Sequence, residues 1–192
     1  MFIALLYADS QGPSDELDAV ELANLKERAA ARCYSVGELP GEGNNILEAI
    51  VDQLLLENKS GNYNVQLVWD KCVALLRQHT KDPLNILRGD REWNDYLAAM
   101  AVEDTNGDER LLYAFANAFQ RIVEVVHSNR LSTTVIRPTS PSKHQVFTTL
   151  YLGEYCGKYV SLQPNIGKVI YIHVFKYNYC FILTALFFNK LL

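Results

Sequence analysis

The chain predicts an α+β fold, a small mixed sheet flanked by helices, and three observations carry that prediction. Apolar residues recur at helical spacing through most of the first 120 positions. β-branched and aromatic runs, broken by Asn, Ser, Pro and Gly clusters, concentrate between 122 and 162. No regular βαβ alternation and no internal repeat links the two halves. At 192 residues, with 49% hydrophobic and 21% charged content, the chain suits one globular core.

Each element has a local reason. Gln11-Gly12-Pro13-Ser14 reads as a turn, and Ser14 can cap an amphipathic helix rich in Ala, Leu, Glu and Lys that runs to about Arg32. Tyr34 to Leu39 alternates enough for a short strand. The stretch from Leu39 to Leu54 then changes character in its middle: Pro40, Gly41 and Gly43 make a loop, and Ile46 to Leu56 is a nearly continuous apolar helix. Asn45 stands at the joint with Glu48 three residues on, the spacing of a capping box. A polar break at Asn58 to Asn64 precedes a third helix through Thr80, and Asp82-Pro83 begins a short element. Glu92 to Val102 is a fourth helix, and Glu109 to Gln120 a fifth with Leu111, Leu112, Phe115 and Phe119 as its stripe. Strands are expected at Ile122 to Val126, Thr133 to Ile136, Val146 to Leu152 and Lys158 to Leu162.

Several function classes are disfavoured. A net charge of −4 argues against a nucleic-acid surface. Cys33, Cys72, Cys156 and Cys180 lack the close pairs of a zinc site, the four histidines are dispersed, and no metal or other cofactor is expected. The acidic turn from Glu103 to Asp108 does not place oxygen ligands as a calcium loop does. The glycine loop lacks the Gly-Lys-Ser/Thr of a phosphate-binding loop. Arg88-Gly89-Asp90 and the sequon at Asn58 matter only outside the cytosol. Phe2 to Tyr7 lacks the basic flank and length of a secretory leader, so a cytoplasmic setting with reduced thiols is expected.

A family resemblance rests on three blocks. Glu42-Gly43-Asn44-Asn45-Ile46-Leu47-Glu48-Ala49-Ile50-Val51-Asp52-Gln53-Leu54 resembles the active-site segment of the ovarian tumour (OTU) family of cysteine deubiquitinases, which reads Asp-Gly-Asn-Cys, then apolar residues with Ala-Ile/Val, and often Asp-Gln-Leu. Gly43, Asn44, Ala49, Ile50, Asp52, Gln53 and Leu54 match; Asn45 stands at the cysteine and Glu42 at the aspartate. Asn106 to Phe119 is similar to the family's glycine turn and helix. Lys158-Tyr159-Val160-Ser161-Leu162 is similar to its closing His-Tyr-x-Ser-Leu/Val strand, with Lys158 at the histidine and Val160 at the third catalytic position.

The resemblance implies an OTU-like, papain-type cysteine protease fold over 30–165, preceded by a helical extension at 1–29 and followed by an apolar tail at 166–192. It implies a loop at Gly41, Glu42, Gly43, Asn44 and Asn45 that would meet an oxyanion or a ubiquitin tail, with ubiquitin or polyubiquitin as the expected partner. The substitutions imply lost chemistry. A carboxamide is not a nucleophile, and a lysine with an ordinary pKa of about 10.4 is almost wholly protonated at neutral pH. Loss of a nucleophile alone costs on the order of a million-fold in turnover. The expectation is therefore a pseudo-protease that binds ubiquitin or serves as a scaffold.

Alternatives stay open at this point. Asn45 is either a plain cap or a ligand contact. A displaced cysteine could act in an active deubiquitinase, and Cys156 would share a strand face with Lys158 if the strand reached that far. The tail from Val169 onward is rich in Tyr, Phe, Ile and Leu; it reads as an extra packed element, a poorly folded extension or, less favoured because its uncharged part is short, a membrane tether of a structural remnant.

Overall fold

The computed structural model describes residues 13–39, 45–87, 89–100, 107–139 and 146–165. Among these residues five helices and five strands follow one another as α1 (Pro13–Ala31), β1 (Tyr34–Val36), α2 (Asn45–Glu57), α3 (Val65–Leu76), α4 (Asp90–Ala99), α5 (Glu109–Phe119), β2 (Ile122–His127), β3 (Thr134–Ile136), β4 (Thr149–Tyr155) and β5 (Lys158–Pro164). The sheet order is β1-β5-β4-β2-β3. Among the described strands only β2 and β4 run parallel, so the sheet is mixed within an α+β arrangement.

The two faces of the sheet bury different helices. Leu150 and Leu152 of β4 and Val123 and Val125 of β2 pack with α2, α3 and α5 in the main core, which includes Ile46, Ile50, Leu54, Leu76, Trp93 and Phe115. Residues of the opposite parity, Tyr155, Val126, Val160 and Leu162, pack with Leu25 and Ala29 of α1. Gly153 lets α1 come close: a Cβ there would lie 2.8 Å from Leu25 Cδ2 and 3.0 Å from Val160 Cγ2. The expected N-terminal helix is thus one wall of the folded unit.

Caps fix the helix starts. Asn64 accepts the Leu67 amide at 2.8 Å, and Asp108 accepts the Arg110 amide at 2.9 Å. The short element at Asp82 is a turn organised by one buried carboxylate, which accepts the amides of Leu84, Ile86 and Leu87 and the Nε–H of Arg110. The backbone N–H groups there are satisfied without a helix.

Several sequence expectations shift: α1 already includes Pro13, so Ser14 lies inside the helix it was expected to cap, and β1 ends at Val36 rather than Leu39. The strand expected at Val146 to Leu152 lies instead at Thr149–Tyr155, because Val146 is 91% exposed while Leu150, Leu152 and Tyr155 are buried against the helices. The third helix ends at Leu76 rather than Thr80. Helix α4 begins at Asp90 and ends at Ala99, capped by Met100, rather than running from Glu92 to Val102, and most of the acidic turn and the tail at 166–192 lie outside the described residues.

Candidate functional site

Helix α2 runs across the sheet with its N-terminus against the start of β5, and its register there is fixed by one residue. Gln53 is buried, donates through Nε2 to Ser161 Oγ and to the Leu162 carbonyl, each at 2.8 Å, and accepts the Tyr151 amide at 2.9 Å. A buried carboxamide with three partners on two strands clamps α2 to β4 and β5. The sequence marks Gln53 only as a motif letter; its work as a clamp is invisible there because its partners are about a hundred residues away.

One helical span above that clamp, Asn45 meets β5. Its Oδ1 accepts the Tyr159 backbone N–H at 3.3 Å. The capping-box expectation is not what its oxygen does: it turns to the neighbouring strand, and Glu48 is exposed. Gly41, Glu42, Gly43 and Asn44 lie outside the described residues.

Strand alternation separates Lys158 and Val160, the other two positions singled out by the sequence resemblance, from Asn45. Lys158, Val160 and Leu162 point to the α1 face, and Tyr159 and Ser161 to the α2 face. Val160 is packed in the core beside Leu25. Lys158 pairs through its ammonium with Asp18 of α1. This partner raises the lysine pKa, and Lys158 in turn lowers that of the Asp18 carboxyl. The structure therefore brings Asn45 to β5 but does not bring residues 45, 158 and 160 into one constellation.

Cys156 is not on a strand. It sits in the β4–β5 turn with φ of 47°, exposed, and desolvation followed by the hydrogen bond to Asp18 pushes its thiol up to about 11. A thiol so placed is protonated at neutral pH, the opposite of an activated nucleophile. Cys72 is buried in the main core, where desolvation pushes it up to about 12. Among the described residues no group of His, Cys, Asp and Glu is arranged to hold a metal ion.

Beside the α2–β5 contact lies a cleft of about 290 Å³. Glu38, Glu48 and Asp52 line it together with Tyr159 and Ser161. Burial, then the neighbouring Glu38, raises the Asp52 carboxyl above its ordinary range. Among the described residues the cleft is lined by carboxylates and no basic side chain, so it can take a cationic segment.

The comparisons with known proteins point one way. A family model described as OTU-like cysteine protease matches residues 40–159. No curated protein matches the chain in sequence. Among solved structures the chain is similar to the OTU domain of OTUD1, with a TM-score of 0.59 and 12% identity over 78% of this chain and 99% of that one. It is similar to the viral OTU domain protease from Taggert virus, with a TM-score of 0.52 and 14% identity over 70% and 81% of the two chains. It is also similar to an OTU deubiquitinase from Wolbachia pipientis wMel bound to ubiquitin, with a TM-score of 0.51 and 10% identity over 70% and 98%. At these identities the likeness is one of fold.

Proposed function

The chain belongs to the OTU-like cysteine protease family, and on that premise we propose that it is a member without the family's thiol-protease activity, which binds ubiquitin or polyubiquitin as a reader or scaffold in the cytoplasm. The observation that carries this reading is the occupation of the nucleophile position by a carboxamide already engaged with β5, Asn45 Oδ1 on the Tyr159 amide. A thiolate needs a base within reach, and the side chain at 158 is turned to Asp18 on the far face of the sheet. The reader half of the proposal is supported by the shared fold and by a structural neighbour that is bound to ubiquitin. The acid-lined cleft beside Asn45 favours a partner segment that brings positive charge.

The test is incubation of the purified full chain with diubiquitins of each linkage. The proposal expects no monoubiquitin release above buffer; release that disappears when a cysteine of the chain is replaced would overturn it. That second outcome is the alternative of a displaced thiol, and the raised pKa of Cys156 weighs against it. The segment on which a membrane tether would depend, 166–192, lies outside the described residues, among which no helix is long and apolar enough to cross a bilayer.

A further inference from the structure

At the end of the sheet where β2 and β4 finish, a second polar row lies on the main-core face. The register sets His127 opposite Glu154, and Glu154 opposite Tyr159. The His127 side chain is 7% exposed, with Nδ1 at 2.9 Å from Glu154 Oε2 and Nε2 at 2.8 Å from Thr134 Oγ1. Arg130 reaches the same point: its guanidinium contacts His127 Nε2 and donates to Thr134 Oγ1 at 2.8 Å.

Hydrogen-bond polarity follows from the donors. A guanidinium has no acceptor, so Nε2 facing it carries the lone pair and Nδ1 carries the proton that goes to Glu154. Thr134 Oγ1 accepts a hydrogen bond from Arg130 and directs its own hydrogen toward Nε2, whose single lone pair it shares with the guanidinium until Arg130 swings away. Carboxylate, imidazole and hydroxyl then stand in the order and polarity of a hydrolytic relay, with a cation beside the hydroxyl. Thr134 and His127 both line a cavity of about 140 Å³ whose apolar walls include Leu84, Leu112, Val125 and Ile136. That space holds a few waters' volume, enough for a short acyl chain.

We propose that Thr134, His127 and Glu154 form an acyl-transfer site that hydrolyses short-chain esters, separate from the position where the family carries its cysteine. Thr134 Oγ1 bonds to the ester carbonyl carbon as its proton passes to His127 Nε2, and Glu154 holds the resulting imidazolium. Arg130, exposed and able to swing from Nε2, neutralises the oxyanion. The bond to the leaving alkoxide breaks, the alkoxide takes the proton from Nε2, and an acyl-threonine remains. Water then attacks that ester with His127 as base, Thr134 leaves with its proton restored, and the products are a carboxylic acid and an alcohol.

The experiment uses the full chain with p-nitrophenyl butyrate, read as p-nitrophenolate release. Expected are saturable turnover above buffer, a loss of about 100-fold or more in Thr134→Val, which keeps the shape without the hydroxyl, and retention within about tenfold in Thr134→Ser. Blocking thiols with N-ethylmaleimide leaves the rate unchanged. Acid-quenched mass spectrometry of the unaltered chain finds the butyryl group on Thr134, a readout independent of how the variants fold. A rate no higher than buffer, a Thr134→Val rate equal to the parent, sensitivity to N-ethylmaleimide, or an acyl group located elsewhere each overturns the proposal.

Discussion

Lys158 gives its ammonium to Asp18 of α1, on the face of the sheet opposite the one where Asn45 meets the Tyr159 amide. The two residues that the sequence resemblance sets at the nucleophile and base positions are thus held apart by the pleat of β5, one residue of strand parity, and not merely altered in kind.

Restoring the residue types alone is therefore predicted to fail. The double variant Asn45→Cys with Lys158→His is expected to cleave diubiquitin no faster than the unaltered chain in a gel assay. Cleavage at a rate that depends on both substitutions would show that β5 can present residue 158 to the α2 face.

Gln53→Ala removes a clamp whose three partners are buried or half-buried, leaving the Ser161 hydroxyl, the Leu162 carbonyl and the Tyr151 amide short of a bond. The expected cost is about 2–4 kcal/mol in urea unfolding. A change below about 0.5 kcal/mol would mean that water replaces the carboxamide without penalty.

Much of this was readable from the residues, and the exceptions share a cause. The stripe of α5 was legible because Leu111, Leu112 and Phe115 repeat at helical spacing and are buried as that period requires. The β4 boundary was not, since Val146 and Phe147 have strand-like side chains but Thr149–Tyr155 is selected by pairing with β2 and β5, partners distant in sequence. Asn45 was correctly placed at the helix start, yet the direction of its oxygen depended on a β5 amide 114 residues away. His127 stood in the sequence only as one of four dispersed histidines. Its parity with the buried Val123 and Val125 was the available signal, because a polar residue on a core-facing register needs partners.

The Asp82 carboxylate makes stability depend on acid. Burial pushes its pKa up, but the amides of Leu87 and Leu84 and the Arg110 guanidinium outweigh that and hold it below the ordinary carboxylate range. A folded pKa below the unfolded value of about 3.9 means stability that is fully present above about pH 4 and lost as pH falls through the folded value. Asp82→Asn is expected to cost about 2–3 kcal/mol at pH 7 and to flatten the fall of the melting temperature below pH 4. Parallel melting profiles for the two chains below pH 4 would contradict this assignment.

Close approach of α1 over β4 depends on Gly153, which is buried beneath Leu25. Gly153→Val is expected to destabilise the chain by about 1–3 kcal/mol and to speed amide exchange in α1 ahead of α2. Unchanged exchange in α1 would show that the helix can shift outward at little cost.

Binding of ubiquitin is the central claim, and calorimetric titration of the folded full chain with monoubiquitin and diubiquitins tests it most directly. The account predicts saturable heat with micromolar affinity, weakened when Glu48 and Asp52 of the acid-lined cleft are both changed to Lys. Absence of heat at high concentration of each ubiquitin form, from a chain shown to be folded, would contradict it.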